Sequence, residues 1–174
     1  MSGGDSAKVS VLVAVPPADA FEVFTKEIDL WWKHGPKFRI AGRRRGQLHF
    51  EGGLGGRLFE TFVASRASSA TRTVQVGSIT AWEPTRRIAF EWRGVSFAPD
   101  EKTFVEVRFD PSPSGTLVTV EHRGWSAVRD DHPVRHGKPS DEFLRMMGLW
   151  WGELMTSLRE HAHERATARG RPRQ

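Results

Sequence analysis

The sequence predicts one α+β domain, a curved antiparallel β-sheet wrapped around a long C-terminal α-helix, with two short helices after the first strand. Three observations predict it. From about residue 37 to residue 123 apolar and polar residues alternate, which is the period of a half-buried strand. The breaks in that stretch are short and rich in Gly, Pro, Asp and Ser, so consecutive strands pair antiparallel. From Ser140 the period lengthens to that of an amphipathic helix, and one apolar sheet face is left for the helix to cover.

Taken in order, residues 1–7 read as a disordered leader and 8–165 as the domain. Residues 8–15 are β-branched and form the first strand. Pro16 stops it, and Pro17 suits the first turn of a helix, where its missing N–H costs nothing. A short helix over 18–24 carries Ala20, Phe21 and Phe24 on one side; a second, over 25–32, carries Ile28, Trp31 and Trp32. Strands follow at 37–41, 46–51, 57–64, 71–82, 86–93, 102–110 and 115–124. Ile88, Phe90 and Trp92 share one face, as do Val105, Val107 and Phe109, and then Val118, Val120 and His122. Glu91, Glu106, Arg108, Thr119 and Glu121 point the other way. After a loop over 125–139, Ser140 is the expected N-cap, with Asp141 and Glu142 favourable in the first turn. The helix runs to about residue 165, roughly 37 Å. Its inward stripe is Phe143, Met147, Trp150, Leu154 and Leu158, widened by Met146, Leu149 and Trp151. Residues 166–174 read as a basic disordered tail.

Composition narrows the function classes. The 174 residues are 38% hydrophobic and 27% charged, ordinary for one globular core. There is no cysteine, which excludes disulfides, thiolate nucleophiles and Cys-based zinc, and implies a cytoplasmic protein. The polar start lacks signal-peptide order, and no apolar run approaches the ~20 residues of a membrane span. The net charge of +5 is concentrated in Arg43, Arg44 and Arg45 and in Arg165, Arg169, Arg171 and Arg173. Those two clusters read as solvated surface, not as a specific nucleic-acid site. His132 and His136 lie in a loop, and His161 and His163 are two apart on a helix, so no native metal site is expected. The glycine-rich stretch 52–56 lacks the Lys-Ser/Thr of a phosphate loop and reads as a hairpin. No cofactor is expected.

The series VAVPPADAFEVF (13–24), Trp31-Trp32, GGRLFE (55–60), GSITAWEPTRRIAFEW (77–92), TLVTVEHRGW (116–125) and the Trp150-Trp151 helix spans most of residues 9–160 in a familiar order. It resembles the START-like (SRPBCC) superfamily. Within that superfamily it resembles the branch related to the C-terminal domain of the activator of heat-shock-protein-90 ATPase. The resemblance implies a helix-grip fold with a cavity between sheet and helix. It further implies relatives that bind lipids, sterols, polyketides or plant hormones, some of them cyclases or hydroxylase subunits. The eukaryotic activator's co-chaperone activity also uses an N-terminal domain, for which these residues hold no counterpart.

Seven Trp and eleven Phe stand against no Tyr. Indole joins a large apolar face to one donor, which suits the wall of a cavity for an apolar small molecule. Trp32, Trp92 and Trp150 should converge there from three elements. Trp31, Phe90, Val105, Val107, Val120, His122, Phe143 and Met147 complete the expected lining. His122, on the concave face, is the candidate proton carrier. Glu60 is the candidate acidic partner, although Leu58 and Phe62 on its side and Arg57 and Phe59 opposite leave its burial open. Three functions compete: an apolar-ligand carrier, a cyclase- or hydrolase-like enzyme using His122 with an acidic residue, and a protein-interaction module. Outer aromatics such as Phe104 and an exposed sheet edge offer a surface for a homodimer.

Overall fold

In the computed structural model, which describes residues 4–170 except 66 and 95, strand β1 (Ser6–Val13) leads into helices α1 (Pro17–Lys26) and α2 (Ile28–Trp31). Six strands follow: β2 (Gly46–Phe50), β3 (Arg57–Ser65), β4 (Ser68–Glu83), β5 (Arg87–Trp92), β6 (Thr103–Ser112) and β7 (Gly115–Arg123). Helix α3 (Ser140–Arg169) closes the chain. The sheet order is β1-β7-β6-β5-β4-β3-β2, and every neighbouring pair is antiparallel. The meander thus runs from β2 to β7, and β1 returns beside β7 with Val9 opposite Val120. Register shifts near Leu58 and between Ile79 and Ala81 raise the local twist and help the sheet curl. The sheet face carrying Ile88, Phe90, Val105, Val107, Phe109, Val118 and Val120 is buried, as alternation predicts.

Five sequence expectations are corrected. Residues 37–41 are not a strand: 36–43 is a series of turns, with N–H bonds from Phe38 and Arg39 to Gly35 O and from Gly42 to Arg39 O. The N–H groups of Ile40 and Ala41 go to Glu60 instead of a ladder. Strand β1 starts at Ser6 rather than Lys8, because Ser6 and Ala7 pair with Arg123 and His122. Helix α3 extends to Arg169, and its last turns are tied to α1 and its C-cap by Arg165, which pairs with Glu22 at 2.6 Å and Glu27 at 3.0 Å. Ser140 is the first helical residue, not the cap; Pro139 takes that place, extended at ψ 156°, and its carbonyl accepts from Phe143 N. Finally, the inward stripe of α3 is Phe143, Met147, Trp151, Leu154, Met155, Leu158 and Ala162, so Trp151 is central and Trp150 stands at its flank. The rest of the expected leader (1–3) and tail (171–174) lies outside the described residues.

Candidate functional site

Trp32 is brought inward where α2 ends in an extended residue (φ −70°, ψ 119°). Its ring stacks on Trp92 of β5 at 5.7 Å and 23°, and meets Trp150 of α3 edge-on at 5.8 Å and 74°. Trp150 in turn stacks on Phe38 at 5.7 Å and 26°. Both indoles also hold the 36–40 turn: Trp32 Nε1 donates to Phe38 O at 3.0 Å and Trp150 Nε1 to Lys37 O at 2.9 Å. Trp32, Phe38, Trp92, Phe97, Met146 and Trp150 border a pocket of about 710 Å³ between the N-terminal half of α3, the 36–40 turn and the loops after β5 and around residue 134. Volumes of roughly 300–1,000 Å³ suit small-molecule sites.

Glu60, Arg39, Asp29, His132 and Glu153, in and behind this wall, are committed to structure, and the exposed His136 also lines it. Glu60 is 1% exposed, and its two carboxylate oxygens accept the N–H groups of Ile40 (2.8 Å) and Ala41 (3.1 Å). Arg39, also buried, donates to Asp29 Oδ1 at 2.7 Å and to the carbonyls of Trp32 and Lys33. Burial pushes the Asp29 carboxyl up, but bonds from Arg39 and Leu48 N, with the Arg39 charge, hold it below its ordinary range. His132 accepts from Val134 N at Nδ1, which leaves its Nε2–H to donate to Ser96 O at 3.0 Å. At the rim Glu153 pairs with Lys33 and Lys37, which hold its carboxyl low, the Lys37 hydrogen bond foremost.

His122 lies deeper, fully buried beneath Trp151. Trp151 Nε1 donates to its Nδ1 at 3.1 Å, so Nε2 carries the proton and donates to Thr103 Oγ1 at 2.7 Å. The Thr103 hydroxyl in turn donates to Trp92 O at 3.1 Å. Desolvation lowers the imidazole pKa to about 3, so the ring is neutral throughout the physiological range. Of the residues expected to line a cavity, Trp32, Trp92, Met147 and Trp150 do so, and Glu60 joins them. Trp31, Phe90, Val105, Val107, Val120, His122 and Phe143 are packed in the core instead and do not border this pocket. Phe38, Phe97, Met146 and His132 line it without having been singled out for that role. Phe97 and His132 lie in non-periodic segments, where the available signal is an aromatic ring or imidazole standing among polar turn residues, whereas Phe38 lies in the alternating segment that reads as a strand.

The model for the activator of Hsp90 ATPase homolog 1-like protein family matches residues 14–162. The chain belongs to this family. A comparison with curated proteins finds no match. Solved structures share the architecture of this activator-like chain at low identity. Protein SA2116 from Staphylococcus aureus superposes with a TM-score of 0.65 at 13% identity, over 94% of this chain and 95% of its own. Protein MLL2253 from Mesorhizobium loti gives 0.60 at 15%, over 92% and 97%. Ara h 8.0201 gives 0.57 at 17%, over 91% and 97%. The fold is therefore the START-like helix-grip fold, and family and fold agree with a ligand-binding domain of that superfamily. No helix among the described residues is long and apolar enough to cross a membrane.

Proposed function

We propose that this activator-like domain binds a small, mainly apolar molecule in the pocket flanked by Trp32, Trp92 and Trp150. The observation that carries the reading is the convergence of these three indoles, from three separate elements, on one 710 Å³ space. Rings placed this way offer large apolar faces at little conformational cost. Binding is favoured over catalysis because both ring nitrogens of His122 are engaged and His122 is not in the pocket wall. Glu60, the other candidate, is bonded to two backbone N–H groups of the 36–44 segment. The pair that a proton-transfer reaction would need does not meet at an open point.

The neutral dye Nile red tests the proposal. Emission should rise and shift to the blue on titration with the protein. Met146→Trp, which fills the pocket from the half-buried face of α3, should weaken dye binding at least about tenfold. Trp150→Ala should weaken it as well. Dye that ignores the protein, or binds equally to Met146→Trp, would return the pocket to a solvent-filled surface and favour a protein-interaction role for the outer face.

A further inference from the structure

A groove of about 790 Å³ shares no wall residue with the main pocket. It lies where the chain enters β2, the edge strand of the sheet, and its wall runs over residues 42–47, Thr61 to Val63 of β3, Thr71 of β4 and His34. Arg43, Arg44 and Arg45 all stand in that wall, and all three are exposed. Between Asp29 and Glu51 the chain has six Lys and Arg and no Asp or Glu, against a net charge of +5 for all 174 residues. The positive excess of the protein is therefore gathered in the segment that forms this groove. By itself such a run reads as solvated surface; the fold adds a concave wall and the absence of counter-charge.

The other cations of the segment are spoken for. Lys33 and Lys37 pair with Glu153, and Arg39 pairs with Asp29. The side chains of Arg43, Arg44 and Arg45 make no hydrogen bond and have no carboxylate within 4.0 Å among the described residues. Asp29 is the carboxylate of the groove wall, and its Oδ1 accepts from Arg39 Nη1 at 2.7 Å and from Leu48 N at 2.8 Å. The arginines are also held in place. Arg44 N donates to Ala41 O at 3.1 Å, and Gly46 sits so close to β3 that a Cβ would come 2.9 Å from Thr61 O. The Arg44 guanidinium lies over the Phe62 ring, 4.8 Å from its centroid, which orients the charge and leaves its N–H donors unused. Arg72, the cross-strand neighbour of Phe62, is exposed and likewise unpaired among the described residues.

Consecutive residues place the three Cα atoms within about 8 Å, one Debye length at ~0.15 M salt, so their charges act together. Such a set calls for several negative charges at equally close spacing. A guanidinium fork binds phosphate and carboxylate alike. A phosphoryl group, however, brings up to about two charges and three acceptor oxygens, whereas a carboxylate brings one charge and two oxygens. Phe62 is 6% exposed beneath Arg44, so the wall offers no open phenyl face on which a base could stack. We infer that this groove is a binding site for closely spaced phosphoryl groups, as in a polyphosphate chain, whether free or carried by a nucleotide. The phosphoryl oxygens take the donors of Arg43, Arg44 and Arg45, and the rest of a nucleotide stays outside the contact.

Calorimetry of the full chain with inorganic tripolyphosphate at ~0.15 M salt tests the inference, with ATP, orthophosphate and citrate as comparisons. Tripolyphosphate should bind saturably at one site, ATP about equally, and orthophosphate and citrate at least about tenfold more weakly. The double variant Arg43→Gln/Arg45→Gln, at two exposed positions, should lower tripolyphosphate affinity at least about tenfold while its urea midpoint stays at the wild-type value. Arg171→Gln/Arg173→Gln removes the same charge from the C-terminal tail and should leave the affinity unchanged. In spectra of the ¹⁵N-labelled chain the amide resonances of Gly42 and Gly46 should move with tripolyphosphate and that of Gly148, on α3, should not. Met146→Trp, in the main pocket, should bind tripolyphosphate as wild type does, so this site stands or falls apart from the Nile red site. The inference is overturned if tripolyphosphate shows no saturable binding, or if citrate binds as tightly. It is overturned as well if ATP binds and tripolyphosphate does not, if binding survives Arg43→Gln/Arg45→Gln, or if the tail variant loses as much affinity as that one.

Discussion

Burial on all sides and two hydrogen bonds hold His122 as a neutral ring between Trp151 and Thr103. Its alanine variant would leave both partners unpaired and open a cavity, for a loss of about 3 kcal/mol in urea melts. A pH dependence follows from the same burial. An unfolded histidine titrates near 6.5, whereas His122 in the fold does so at about 3. Between those values the unfolded chain takes up a proton that the folded chain refuses. The contribution is fully present above about 6.5 and falls as pH drops toward 3, by about 1.4 kcal/mol per unit. Stability of His122→Gln should therefore fall less steeply than wild type through this window. Parallel slopes would mean that the imidazole already charges in the folded protein.

Among the elements, the junction of β4 with β5 is the least tolerant. A Cβ at Gly77 would lie 1.6 Å from Glu91 O, on the backbone of the neighbouring strand. Gly77→Ala must push β5 away just where Trp92 enters the indole cluster, so it should cost more than about 3 kcal/mol and blue-shift no bound dye. A urea midpoint close to wild type would contradict this. The turns over 36–44 illustrate the converse case, a segment whose structure is set from outside. Alternation of Phe38 and Ile40 reads as a strand, yet Glu60 on β3 captures the N–H groups of Ile40 and Ala41 and Arg39 turns inward to Asp29. Local pattern could not reveal this, because the partners lie about 20 and 10 residues away in the chain. Helix α3 shows a smaller shift of the same origin. Both Trp150 and Trp151 fit an apolar stripe, and only the position of the 36–40 turn sends Trp150 to the pocket rim and Trp151 to the core.

At the scale of the molecule, the loops at one end of the sheet are stitched together by Glu101. Its carboxylate accepts from Ala98 N at 2.8 Å and pairs with Arg129 at 2.6 Å, joining the segment after β5 to the segment before α3. The Ala98 N–H bond foremost, opposed by burial and joined by the hydrogen bonds and charge of Arg129, lowers its pKa from 4.5 to about 2. This contribution is present above about 4.5 and is lost as pH falls through about 2. Glu101→Gln should be less stable than wild type near neutral pH, and the difference should shrink to nothing near pH 2. Phe97 and His132, ring centroids 4.9 Å apart, belong to the two stitched segments and line the main pocket. Nile red affinity should accordingly fall in Glu101→Gln at neutral pH. An unchanged affinity would separate the stitch from the pocket.

The sequence by itself determined the architecture: a period of two, short connections and one long amphipathic helix leave the sheet a single face to bury. It also identified Trp32, Trp92 and Trp150 as rings that meet, since alternation and helical spacing assign each to the concave side. Tertiary structure alone decided which aromatic rings stand at a pocket and which fill the core, because that depends on the depth of each ring and not on its face. It decided that His122 is sealed between Trp151 and Thr103 and that Glu60 anchors a turn. That Arg43, Arg44 and Arg45 wall a groove with no carboxylate of the described residues beside them was likewise beyond pattern, for a missing counter-charge shows only when every neighbour is in place.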